Sequence, residues 1–95
     1  MLTFSACHNP DKVPKDVLAQ KKMEAVLIDI HILEGGLLVM PNAVSYKEAY
    51  AAIFKKHNIT AEQYEKSIKF YQEHPHMLFN IYQAVCDSLE NRINQ

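Results

Sequence analysis

The chain is short of the residues that build turns and read phosphates. Of its 95 residues only two are glycine, adjacent at Gly35 and Gly36, and there is no tryptophan. An all-β sandwich of many short strands needs frequent glycine-bearing turns, so this scarcity argues against one. Arg92 is the one arginine. A single guanidinium is a poor basis for bidentate recognition of phosphates or guanine edges, and a formal net charge of −1 supplies no basic field. Nucleic acid is therefore not expected as a partner. No apolar run approaches the roughly 20 residues needed to cross a bilayer. The two cysteines, Cys7 and Cys86, permit one disulfide but sit in different contexts, and no bridge is expected.

What is present is hydrophobic material, 48% of the chain, enough for the core of one small domain that buries something over half of its unfolded surface. Residues 1–13 read as a terminus and linker: Met1 to Cys7 is apolar and small, and His8-Asn9-Pro10-Asp11-Lys12 is polar with a proline. From 14 onward the apolar residues recur every three or four positions, the period of a helix with one buried face. Pro14 suits a first helical turn and Asp16 favours a helix N-terminus. Val17, Met23, Val26, Leu27, Ile30 and Leu33 then form a stripe, which Gly35-Gly36 is expected to stop. Residues 37–44 follow without a clear period, as a buried connector or an exposed patch.

The second half carries clearer signals. Ser45-Tyr-Lys-Glu48 and Thr60-Ala-Glu-Gln63 are capping boxes, and Ile59 stands where a hydrophobic staple meets Tyr64. Asn58 is a plausible left-handed stop, and Pro75 falls at a first helical position. Tyr46, Tyr50, Ile53 and Phe54, then Tyr64, Ser67, Ile68 and Tyr71, then Leu78, Ile81, Tyr82, Val85 and Leu89 make three further stripes. The expectation is an all-α fold, a small bundle of about four helices over 14–34, 46–57, 61–73 and 75–92. The short links between the last three force neighbouring helices to pack directly on one another.

Read as an ordered set, these features resemble a known family. Tyr46, Tyr50, Ile53-Phe54-Lys55-Lys56-His57-Asn58-Ile59-Thr60, Tyr64, Ser67-Ile68, Tyr71, His74-Pro75, Ile81-Tyr82, Val85 and Leu89, with Pro14 and Ile28-Asp29-Ile30-His31-Ile32-Leu33-Glu34 upstream, are similar to a Bacteroidota domain-of-unknown-function family of small lipoproteins. The resemblance covers most of the chain from about Cys7. It implies export and a lipid on an N-terminal cysteine, and Phe4-Ser5-Ala6-Cys7 fits the small-small-Cys end of such a cleavage site. Two or three acyl chains on Cys7 would anchor the protein stably to a membrane, whereas one alone is marginal. The sequence departs from the pattern in having Phe4 where leucine is commoner. It also lacks a charged and apolar signal before that point, so residues 1–7 read as a signal-peptide remnant, with the start set too far downstream or the chain trimmed. The implied address is the bacterial cell envelope, anchored to the outer membrane and facing the periplasm. With Met1 as the true start the protein is cytoplasmic and Cys7 an ordinary thiol.

The candidate sites are few. His31 and Glu34 lie three positions apart on one helix face and are able to share an ion, while His74 and His76 bracket Pro75. These four are the weak metal candidates. The simpler readings are a half-buried His31 bonded to a neighbouring side chain, a capping His74 and a solvent-facing His76. Neither the paired Glu-x-x-His set of a di-iron bundle nor His-Glu-x-x-His is present. His57 suits the negative end of its helix, and Cys86 reads as a buried free cysteine acting as a small apolar residue. The five tyrosines read first as core, with one or two lining a shallow groove. Leu37, Leu38, Val39 and Met40 form the possible partner surface.

With no recognisable nucleophile, catalytic residues and cofactors are not expected. The sequence is read as a non-enzymatic envelope lipoprotein, a lipid-tethered helical module for an unknown envelope protein. The alternative is a helical domain that binds a small ligand or metal through His31 and Glu34.

Overall fold

The helix starts and stops are written in local chemistry. Thr60 and Gln63 form a reciprocal capping box: the Thr60 hydroxyl accepts the Gln63 N–H at 3.0 Å, and the Gln63 side-chain Oε1 accepts the Thr60 N–H at 3.1 Å. Ser45 accepts the Glu48 N–H at 3.2 Å, and its hydroxyl donates to the Glu48 carboxylate at 2.9 Å. Asn58 adopts a φ of 57°. Around it Ile59 N–H reaches the Phe54 carbonyl at 3.0 Å and Asn58 N–H the Lys55 carbonyl at 3.1 Å, which is a Schellman stop.

The computed structural model describes residues 13–39 and 45–93, with 37–39 described by their backbone. It is an all-α fold of four helices: α1 (Gln20–Val39), α2 (Tyr46–Lys56), α3 (Ala61–Gln72) and α4 (Pro75–Ile93). α1 packs chiefly along α4, α2 rests on α1, and α3 on α4. Leu18, Met23, Val26, Leu27 and Ile30 meet Ile59, Tyr71, Met77, Ile81 and Val85 in a single buried cluster. Met77, Ile81 and Val85 recur every fourth residue along α4, as one buried face of a helix requires. Each such side chain, fully buried, contributes about 1.5–3 kcal/mol.

The first helix differs from the expectation at both ends. It begins at Gln20 rather than Pro14. Residues 15–17 form a turn closed by Val17 N–H on the Pro14 carbonyl at 3.1 Å, and the backbone of Leu18 is bonded by α3 instead of by a helical ladder. Its N–H donates to the fully buried Ser67 hydroxyl at 2.8 Å, and its carbonyl accepts the Tyr71 hydroxyl at 2.7 Å. Asp16 accordingly does not serve a helix N-terminus. It pairs with Lys66 at 3.0 Å on the surface, and the hydrogen bond from Lys66, then its own backbone and the ammonium charge, hold its carboxyl below the usual range.

At the other end Gly35 and Gly36 do not stop α1, which runs on to Val39. A glycine ends a helix by turning φ positive, and neither glycine does so. The expected burial of Cys86 is also overturned: it is an exposed free thiol. It lies one residue past the buried Val85, and about 100° of rotation carries it off the packed face.

Candidate functional site

Polar side chains join α1 to α2 at two places. Asp29 Oδ2 accepts His57 Nε2 at 2.7 Å and Lys56 Nζ at 2.9 Å. The Schellman stop at Asn58 fixes His57 as the C-cap of α2, so its ring reaches across to α1 rather than only facing its own helix end. Partial burial pushes the Asp29 carboxyl upward. The hydrogen bonds from His57 and Lys56, with their charges, outweigh that and leave it below the ordinary carboxylate value. Over one helical turn further along α1, the Tyr50 hydroxyl donates a hydrogen bond to Glu34 Oε2. Burial, then the bond and the charge of Glu34, raise the Tyr50 phenol far above its usual value.

The predicted metal candidates fall among these bonds. His31 Nδ1 lies 3.8 Å from Glu34 Oε1, so the structure does bring this pair together, and the His31 ring meets Tyr82 edge-on at 5.9 Å. The other oxygen of Glu34 is taken by Tyr50. His74 stacks on Phe70 at 4.1 Å, and its Nδ1–H donates to the Phe70 carbonyl at 2.8 Å, so it closes the end of α3. His76 is exposed in the first turn of α4. Among the described residues no three His, Cys, Asp or Glu side chains gather where they are able to hold a metal ion. Of the expected partner surface, Leu37, Leu38 and Val39 belong to the last turns of α1, while Met40 and the lipidation candidate Cys7 lie outside the described residues.

The sequence pointed to a shallow groove with one or two tyrosines, without placing it; the structure has one beside α2 lined by Tyr46 and Tyr50. This helix has no fully buried residue, although Tyr50, Ile53 and Phe54 each pack partly against the core. Along it, Tyr46, Lys47, Tyr50, Ala51, Phe54 and Ala61 line an open groove of about 420 Å³. A second hollow of about 510 Å³ continues it past Lys55, Asn58, Ile59 and Thr60, sharing Ala51, Phe54 and Ala61. Three rings run in sequence along it, Tyr46 to Tyr50 at 6.3 Å and Tyr50 to Phe54 at 6.1 Å, and Phe54 in turn packs on Tyr64 at 5.1 Å. Tyr46 is 56% exposed and Tyr71 is fully buried, so the tyrosines divide between groove and core. The signal available in sequence was the aromatic spacing; what hid the groove's place was that the same spacing describes a core face.

A family model described as a domain of unknown function (DUF4296) matches residues 14–95. The chain belongs to the DUF4296 family. Comparison with curated proteins and with solved structures gave no match. The span matched to DUF4296 takes in all four helices, both α1–α2 junctions and the whole groove, and leaves Cys7 outside it. Among the described residues of this DUF4296 chain no helix is long and apolar enough to cross a membrane.

Proposed function

We propose that this chain is a non-enzymatic helical module of the bacterial cell envelope, tethered by lipid on Cys7, that docks a protein partner in the aromatic groove of α2. One observation carries the reading. Most of the polar groups between the helices are engaged in holding the fold, His57 and Lys56 on Asp29, Tyr50 on Glu34 and His74 on Phe70, His76 standing exposed by itself, while three aromatic rings line an open groove. Catalysis needs a group free to act on a substrate; docking needs uncovered apolar area with a polar border.

The tether rests on sequence. Phe4-Ser5-Ala6-Cys7 offers small side chains beside a thiol, followed by the polar linker 8–12 ahead of the folded domain. Because stable anchoring takes more than one acyl chain, the mature protein would carry a diacylglyceryl group on the Cys7 sulfur.

The test has two arms. Mass spectrometry of the Cys7 peptide from envelope detergent extracts is expected to find the lipid, and an unmodified thiol there removes the tether. Ala51→Arg fills the groove at an exposed position and is expected to release the co-purifying partner while leaving the helical circular dichroism intact. Retention of the partner by this variant removes the docking role.

A further inference from the structure

The groove has a charge sign of its own, and from it we infer that its occupant is an acidic amphipathic segment roughly three helical turns long. The inference rests on the docking role proposed above and names the chemistry of what docks. Lys47, Ala51, Phe54 and Asn58 follow one another at spacings of four, three and four, so they share one face of α2 and its C-terminal turn. From Tyr46 to Asn58 that face is about 18 Å long at 1.5 Å per residue, the length of three turns of a second helix. Its floor is Tyr50, Ala51, Phe54 and Ala61. Small alanines between aromatic walls leave notches for large side chains, the arrangement that receives anchors spaced three or four apart along an amphipathic helix.

Among the described residues lining the two joined hollows, the charged side chains are Lys47 and Lys55, one toward each end. Among the described residues no acid lines either hollow, although the chain as a whole carries a net charge of −1. The contrast with the opposite side of α2 is direct. There the hollow lined by Asp29, Leu33, Glu48, Ala49, Ala52, Ile53 and Lys56 carries both signs, and its Lys56 is already paired with Asp29. A partner segment with large apolar anchors and acidic flanks matches the groove in shape and in charge, whereas basic flanks would face like charge at both ends.

The α4 surface provides a built-in comparison. Phe79, Tyr82 and Ile93 are exposed, and with Cys86 and Leu89 they also recur at spacings of three and four. Arg92, beside Ile93, is the single lysine or arginine of α4, so that stripe offers no basic pair.

The probes are two synthetic helical peptides that share Leu and Phe anchors and differ in having glutamate or lysine flanks, with a third in which the anchors are alanine. Each is titrated into the isotope-labelled full chain and followed by amide chemical shifts. The glutamate-flanked peptide is expected to move amides within 46–61 and to bind about tenfold more tightly than the lysine-flanked one, as two exposed ion pairs of opposite or like sign dictate. Lys47→Glu combined with Lys55→Glu is expected to invert that order, and the anchor-free peptide to leave the spectrum unchanged. Equal binding of both flanked peptides in the groove overturns the acidic occupant and leaves groove docking standing. Shifts confined to the α4 stripe, or none with either flanked peptide, overturn both.

Discussion

The hydroxyl of Ser67 accepts the backbone N–H of Leu18 at 2.8 Å, joining two residues 49 positions apart. The same hydroxyl donates to the Gln63 carbonyl at 2.7 Å, and Tyr71, one helical turn on, takes the Leu18 carbonyl at 2.7 Å. A stretch ahead of α1 is thereby fixed to α3 by two bonds, one to the peptide unit on each side of Leu18. Removing one partner leaves a buried N–H without an acceptor, which costs about 1–3 kcal/mol. Ser67→Ala is therefore expected to lower stability by that amount in urea unfolding and to speed hydrogen exchange at the Leu18 amide. Unchanged exchange there would contradict the bond's role.

Asp29 gives a pH dependence with a definite sign. Its carboxyl lies below the usual value because the bonds from His57 and Lys56 outweigh the upward push of partial burial. The unfolded chain, with an ordinary carboxyl near pH ~4, thus binds the proton more readily than the folded one. The contribution is complete above about pH 4 and is lost as pH falls through the lowered folded value. Asp29→Asn is expected to lower the urea midpoint at neutral pH and to flatten its fall in acid. Parallel acid profiles for the variant and the parent would contradict this.

Gly35 sits inside α1 with ordinary helical φ, and a Cβ built there meets nothing within 4 Å. Glycine in a helix interior is less favourable than alanine by about 0.5–1 kcal/mol, for reasons of backbone entropy. Gly35→Ala is expected to raise stability by that amount. A loss of stability would show that the chain turns at this point instead of continuing as a helix.

The Tyr50–Glu34 bond is readable in an alkaline titration. Burial and the bonded carboxylate keep the Tyr50 phenol protonated well past the ordinary range, while burial alone is the cause at Tyr71. Glu34→Gln removes the charge but not the burial, so it is expected to bring the Tyr50 transition part of the way down toward the usual value of about 10, with a smaller downward movement at Tyr64. An unchanged titration curve would mean the two groups do not meet in solution.

Much of this fold was legible in the sequence where the signals were local. Ser45, Thr60, Asn58 and Pro75 each act through their own or a nearby peptide, and α2, α3 and α4 fall within a residue of where those caps put them. The first helix was misplaced because its start is decided from a distance, by Ser67 and Tyr71 acting on Leu18, and because a glycine pair stops a helix only with the φ to match. Cys86 was misplaced through a single step of helical rotation. At the candidate site, the pairing of His57 with Asp29 spans 28 residues and leaves no mark in local spacing. A shallow groove with one or two tyrosines was expected, but its place was hidden for a different reason: an aromatic stripe looks the same whether a neighbouring helix covers it or leaves it open.

The docking role of the α2 groove turns on which surface of the protein a partner touches in the cell. A photo-cross-linking side chain placed in turn at Ala51, Leu38, His76 and Gln83 of the otherwise native protein reads that contact directly. That docking role predicts a discrete adduct from Ala51 that disappears when Lys47→Glu and Lys55→Glu are added, with no matching adduct from His76 or Gln83. An adduct from Leu38, His76 or Gln83 with none from Ala51 would contradict it.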